Sequence, residues 1–308
     1  MKVAVIGAGL IGRAWSIVFA RAGFEVGLWD VSAAAVRMAR SFVRDRLAEL
    51  REAGLVNEEP AQLLARIWPA ETLADALRGA VHVQENGPER VEDKQALFAE
   101  LDAQTAAETV LASSSSGIPA SAFTERLAGR ARCLVAHPVN PPYLVPLVEL
   151  CPAPWTDAGV VERTRALMVR AGQAPVTVMR EVAGFALNRL QGALLAEAFR
   201  LVDDGVISPA DLDATVKHGL GLRWAFMGPF ETIDLNAPGG VADYCGRYGE
   251  LYAQLQQEMQ PRTWSQELID KLTTARRAEL PANMLAVRQE WRDRRLMALL
   301  AHRAAQQK

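Results

Sequence analysis

The strongest limit on the fold lies at the start of the chain, where the short β-branched run Val3-Ala4-Val5-Ile6 leads directly into Gly7-Ala8-Gly9-Leu10-Ile11-Gly12. The run predicts a strand. After it, Ala14, Ile17, Val18 and Ala20 recur at helical spacing, and Gly23 supplies a stop before a second strand-like run, Glu25-Val26-Gly27-Leu28-Trp29. Glycines spaced G-x-G-x-x-G occur by chance in loops and helix caps, so the pattern alone says little. Between a strand and a helix, with Asp30 at the end of the next strand, it is the arrangement that a dinucleotide needs. Gly7 permits the tight turn and Gly9 lets the backbone approach a pyrophosphate. Leu10 and Ile11 open the helix whose amino end faces that charge, and Gly12 lets the helix pack closely. Asp30 suits the adenosine ribose hydroxyls and repels a 2′-phosphate, so the expected cofactor is NAD rather than NADP.

Helical spacing returns from Ser32 to Leu50, near Ala61 to Ile67 and from Val91 to Leu101. Val81-His82-Val83-Gln84, Val110-Leu111-Ala112, Cys133-Leu134-Val135-Ala136 and Leu147-Val148-Glu149-Leu150 read as further strands. Alternating strands and helices predict an α/β fold, a Rossmann-type doubly wound parallel sheet covered on both faces. In such a sheet functional residues collect at strand carboxyl ends, where Gly7, Asp30, Glu85, Ser115 and His137 all fall. Beyond Arg180 the strand signals stop, and Leu187, Leu190, Leu194, Ala198, Leu201 and Val202 form a helical stripe ending at Gly205. Ser208-Pro209 is a further helix opening. A chain of 308 residues has room for two domains, expected as 1–180 for the sheet and 181–308 for an all-helical unit.

Lys and Arg total 34 against 36 Asp and Glu, a balance without long-range attraction to nucleic acid or to anionic lipid, so the expected partner is a small molecule. Arg292-Asp293-Arg294-Arg295 reads as a solvated helix face. Cys133, Cys151 and Cys245 are odd in number and far apart, which argues against a disulfide framework and for a reducing compartment. His82, His218 and His302 share no metal-ligand spacing, and no metal is expected. No apolar stretch is long enough to span a bilayer, and a strand begins at Val3, so the expected location is cytoplasmic.

His137 follows an apolar strand, and Glu149 stands in another run shortly downstream. An imidazole oriented and made more basic by a carboxylate suits removal of a hydroxyl proton; the competing reading is a satisfied core histidine. Ser113-Ser114-Ser115-Ser116 either hydrogen-bonds a reacting oxygen or caps the next helix. Asn188 sits early in a long helix, where propensity does not favour it, so it either has a polar task or faces solvent.

The glycine-rich start, the segment from Glu85 to Lys94, the serine run, His137 with Glu149, and Gly184-Phe185-Ala186-Leu187-Asn188-Arg189 together resemble the L-3-hydroxyacyl-CoA dehydrogenase superfamily over nearly the whole chain. Three stretches resemble its branch of lambda-crystallin and L-gulonate 3-dehydrogenase: His137 to Pro142, Gly219 to Phe226, and Arg288 to Asp293. The resemblance implies that His137 is the general acid/base, that Glu149 orients it, and that Ser115, with Ser116 as second choice, and Asn188 bind the substrate oxygen. It implies that Glu89 and Lys94 contact the cofactor and that the helical domain forms a homodimer. Pro138 and Val139 stand where the acyl-CoA enzymes carry aromatic residues, which weakens a thioester reading. Arg223 lies in a stretch that looks added relative to those enzymes, and its guanidinium suits a free carboxylate. The expected reaction is oxidation of a small L-3-hydroxy acid, L-gulonate for preference. The alternatives are a short-chain 3-hydroxyacyl-CoA substrate, a carnitine-type substrate facing Trp224, and a crystallin-like structural or NAD-sensing protein without turnover.

Overall fold

The glycine turn joins β1 (Lys2–Ile6) to the helix Leu10–Arg21, and the chain returns as β2 (Glu25–Trp29). In the computed structural model, which describes residues 1–306, this unit grows into an eight-stranded sheet. The further strands are β3 (Ile67–Pro69), β4 (Ala80–Glu85), β5 (Val110–Ser113), β6 (Cys133–Pro138), β7 (Leu147–Pro152) and β8 (Ala174–Thr177), in the spatial order β3-β2-β1-β4-β5-β6-β7-β8. The chain winds outward from β1 in one direction and then resumes from β4 in the other. A crevice therefore opens at the carboxyl ends of β1 and β4, the switch point where α/β sheets bind ligands.

Residues of β1 alternate between two cores. Val3 and Val5 pack on one face with Trp15, Phe19 and Leu47, while Ala4 and Ile6 pack on the other with Val83, Phe98 and Val135. Helices on both faces explain why the strands read as unbroken apolar runs rather than as alternating ones.

Three details depart from the sequence reading. The pair β6 and β7 is antiparallel within an otherwise parallel sheet. Ile67, the end of a helix-like run, instead opens β3: the helix Pro60–Ala65 stops before it, and Ile67 pairs with Val26. The edge strand β8 has no counterpart in the reading; its Pro175 cannot donate to a ladder, which an edge tolerates.

The chain divides into two compact units, Met1–Arg189 together with the residues from Glu290 onward, and Leu190–Gln289. The last helix, Leu285–Gln306, joins the first unit through Met297, which is buried in its core with Leu296 and Leu300 packed against the same cluster. The Leu190–Gln289 unit is helical, with Pro209–Thr215, Pro229–Leu235, Gly240–Glu258 and Gln266–Glu279 as its full helices. Ser208 caps the first of these, its hydroxyl accepting from the Asp211 N–H at 3.1 Å. A π-helical turn, Val216–Leu220, leads into the short helix Gly221–Trp224 that carries Arg223. Among the described residues no helix is long and apolar enough to cross a membrane.

Candidate active site

Gly7 has φ +93°, a left-handed conformation that favours glycine, and a Cβ there would stand 2.8 Å from the Asn86 carbonyl oxygen. A Cβ on Gly12 would strike the Gly7 carbonyl, so these two glycines hold the turn tightly against the helix and the end of β4. Gly9 differs: a Cβ there would meet nothing within 4 Å, which leaves its outer side clear for a ligand to lie on the backbone. Asp30, just past β2, accepts from the Ala8 N–H at 2.8 Å with Oδ2 and from the Ser32 N–H at 2.9 Å with Oδ1. Each oxygen keeps a lone pair for a ribose hydroxyl. The turn, the open side of Gly9 and the carboxylate fit an adenine dinucleotide.

Asn86, which sequence reasoning passed over, ties this turn to the next strand end. Its amide donates to the carbonyls of Ile6 at 3.2 Å and Gln84 at 2.8 Å, and accepts from the Ser114 hydroxyl at 2.8 Å. Its position directly after an apolar strand was the only signal available.

At the end of β4 the Glu85 carboxylate is fully buried. It accepts from Lys94 Nζ at 2.9 and 3.1 Å, from the Ser113 hydroxyl at 2.6 Å and from the Gly87 N–H at 2.5 Å. Glu89 Oε2 lies 4.0 Å from the same ammonium. Its other oxygen, Oε1, accepts from the Ser115 hydroxyl at 2.6 Å and from the N–H groups of Ser116 and Gly117 at 2.9 and 3.1 Å. Burial pushes the Glu89 carboxyl up, but these bonds and Lys94 outweigh it, and its pKa is lowered.

The four serines have different surroundings. Ser113 bonds Glu85, and Ser114 meets Trp15, Gln84 and Asn86. Ser115 is buried, with its hydroxyl taken up by Glu89 and by the Ile118 backbone. Ser116 is exposed, and its carbonyl accepts from Asn188 Nδ2 at 2.7 Å.

His137 and Glu149 face each other directly across the antiparallel pair, because cross-strand partners put their side chains on the same face of the sheet. His137 Nδ1 lies 2.8 Å from Glu149 Oε2, and both residues are buried. Glu149 Oε1 accepts from the N–H groups of Ala186 and Leu187 at 2.8 and 2.9 Å. Those two amides reach it through a left-handed turn, Gly184 at φ +73° and Phe185 at φ +50°, just before the helix Leu187–Asp203. The Phe185 ring, fully buried, stands 5.6 Å from the imidazole. A non-glycine residue at positive φ is strained and persists only where its surroundings demand it. Burial works against the Glu149 charge, yet the His137 bond and the two amides outweigh it and hold the carboxyl below its ordinary range.

His137, Glu149, Leu187, Asn188, Ser116 and Glu89 thus form one circuit of hydrogen bonds and adjacent residues within the first unit. Arg223 belongs to the helical unit, where it is exposed and makes no ion pair among the described residues.

Residues 2–182 match the family model of the 3-hydroxyacyl-CoA dehydrogenase NAD-binding domain, and residues 184–281 match that of the 3-hydroxyacyl-CoA dehydrogenase C-terminal domain. The chain is 47% identical over 302 residues to the lambda-crystallin homolog of Bos taurus, covering 96% of this chain and 94% of the relative. It is 38% identical over 249 residues to an L-carnitine dehydrogenase of Streptomyces griseus, covering 80% and 73%. Among solved structures it is similar to 5-formyl-3-hydroxy-2-methylpyridine 4-carboxylic acid 5-dehydrogenase, an NAD+ dependent dismutase, with TM-score 0.83, 28% identity and coverage of 97% and 96%. With both domain models matched along the chain, and with an NAD-binding fold, the protein belongs to the 3-hydroxyacyl-CoA dehydrogenase family.

Proposed function

We propose that the protein oxidises the 3-hydroxyl of a small L-3-hydroxy acid, L-gulonate for preference, to the 3-keto acid. The observation that carries this reading is the buried cross-strand pair of His137 and Glu149. Bound NAD supplies the hydride acceptor, with Gly7, Gly9, Leu10, Ile11, Gly12 and Asp30 holding its phosphates and adenosine ribose, and Glu89, backed by the buried Lys94, serving its other end. With Nδ1 committed to Glu149, His137 keeps Nε2 for the hydroxyl proton, and the ionised Glu149 stabilises the imidazolium that results. The exposed Ser116 hydroxyl and the second amide hydrogen of Asn188 are open to the substrate oxygen, while the Ser115 hydroxyl is held by Glu89 for as long as that carboxylate stays in place.

Two observations favour a free acid over a thioester. Arg223 is exposed without an ion pair among the described residues, and a solved relative that covers 97% of the chain is named for a pyridine carboxylic acid. NADH formation with L-gulonate, L-3-hydroxybutyrate, L-3-hydroxybutyryl-CoA and L-carnitine, in wild type and His137→Ala, tests the reading. Turnover of a free acid, lost in the variant, supports it; turnover of the thioester alone overturns the substrate class.

We also propose a homodimer through the helical unit. Leu222, Phe226, Phe230 and Leu235 are each more than 60% exposed there, and the helix Gly240–Glu258 buries none of its residues. An apolar surface of this kind marks an interface, and light scattering at twice the chain mass is the expected result.

A further inference from the structure

Three donors in the loop after β5 converge on a single point. The Ser115 hydroxyl and the N–H groups of Ser116 and Gly117 meet there at 2.6, 2.9 and 3.1 Å from Glu89 Oε1. Consecutive N–H groups turned inward make a concavity that prefers an anion, and the hydroxyl adds a third arm.

The loop is held in this form by bonds that do not involve Glu89. The Ser115 hydroxyl accepts from the Ile118 N–H at 2.9 Å, the Ser115 N–H donates to the Ser113 hydroxyl at 3.1 Å, and Asn188 holds the Ser116 carbonyl at 2.7 Å. The concavity therefore survives removal of the glutamate. Glu89 itself is loosely tethered elsewhere: its side chain is 44% exposed, and among the described residues its one ion-pair partner is Lys94 at 4.0 Å. The loop also stands beside the acid/base pair. β5 ends at Ser113, which pairs with Val135, two residues before His137 on β6, and Asn188, which holds Ser116, directly follows the Leu187 whose N–H bonds Glu149.

We propose that Ser115, Ser116 and Gly117 form a carboxylate site, that the carboxylate of the substrate acid is its occupant, and that Glu89 is a resident plug holding that place until it is drawn away. The inference rests on the free-acid reading and on Glu89 as a cofactor contact. Two carboxylates cannot share one set of donors without strong mutual repulsion. Binding of the acid therefore waits for Glu89 to turn toward the cofactor, and the order of addition is built into the loop.

The test follows the amide resonances of Ser116 and Gly117 in the 15N-labelled full chain, titrated with acetate or L-3-hydroxybutyrate. NADH serves as cofactor, since it cannot oxidise the hydroxy acid. In wild type neither acid shifts these amides without NADH, and the hydroxy acid shifts them with it. In Glu89→Ala both acids shift them without NADH, at concentrations about tenfold or more below any that moves them in wild type, the scale of a charge-assisted bond set. Methyl 3-hydroxybutyrate moves them in neither protein. Glu89→Gln, whose amide oxygen still satisfies the three donors, stays closed. If Glu89→Ala has an otherwise native spectrum and its two amides ignore both acids, the site is overturned. Wild type with NADH that binds the hydroxy acid while Ser116 and Gly117 stay still also overturns the site, and leaves the free-acid reading standing. Acetate entering Glu89→Ala while wild type with NADH takes only the thioester upholds the plugged site, but overturns the acid as its occupant and the free-acid reading with it.

Discussion

Glu85 and Lys94 form an ion pair sealed from solvent at both ends, with side chains 0% and 2% exposed. A buried pair is tolerable only with its remaining hydrogen-bonding capacity filled, and Ser113 and Gly87 fill it on the carboxylate side. Glu85→Gln keeps the shape and leaves the buried ammonium with only the half-exposed Glu89, 4.0 Å away, as a nearby countercharge among the described residues, so a loss of about 3 kcal/mol is expected in urea unfolding. Glu85→Gln combined with Lys94→Met should recover part of that loss. A single-variant loss below about 1 kcal/mol would mean that the pair contributes no more than a surface one.

In the proposed reaction His137→Ala removes the base, and Glu149→Gln keeps a hydrogen-bond partner without the charge. Turnover should fall by about 10²–10⁴-fold in the first and less in the second, with NADH affinity unchanged in both. Equal turnover in wild type and His137→Ala would return the histidine to a packing role.

The Glu149 carboxyl titrates below its ordinary value of 4.5. A depressed folded pKa contributes stability that is complete above the unfolded value and lost as pH falls through the folded one. Glu149→Gln should therefore flatten the acid limb of the stability profile below about pH 4.5. An unchanged limb would show that the pair is not formed in solution.

His82 is fully buried on β4, and burial, opposed by its Gln84 hydrogen bond, lowers its pKa to about 4. Between that value and 6.5 the unfolded chain binds a proton that the folded one refuses, so stability falls as pH drops through the window, by about 3 kcal/mol over its full width. His82→Gln should remove this slope while leaving the neutral-pH profile otherwise intact. Thermal melts at closely spaced pH values decide it.

Asp30 should set the cofactor preference. Asp30→Ala is expected to weaken NADH binding by about tenfold and to relax discrimination against NADPH, both read by fluorescence titration. Unaltered discrimination would place the selectivity elsewhere.

Arg223→Ala should raise KM for a free hydroxy acid by about tenfold or more and leave KM for the corresponding methyl ester unchanged. Loss on both substrates alike would assign the guanidinium a structural role.

How much of this was legible in the sequence depended on how local each signal is. Gly7 to Gly12 and Asp30 were readable because turn, helix start and strand end lie close together in the chain. The direction of β7 was not, since an apolar run carries no sign of which way it pairs. β3 has three residues, and Ile67 continued the helical spacing before it. Edge strand β8 is only half-covered, so its apolar residues form no run. The four serines are chemically identical and adjacent. Only the placement of Glu89, 26 positions from Ser115 in sequence, separates a hydroxyl already bonded from one left exposed.

His137 and Glu149 are matched by strand register, with Leu134 opposite Pro152 and Pro138 opposite Val148 on either side of them. A slip of one residue would turn the glutamate to the opposite face, so the ladder acts as a ratchet with only one working tooth. The connector is no spare part either, since Tyr143 and Leu144 within it are buried in the core, so the whole hairpin, rather than either residue, is the unit to graft when the proposed acid/base chemistry is moved to another sheet.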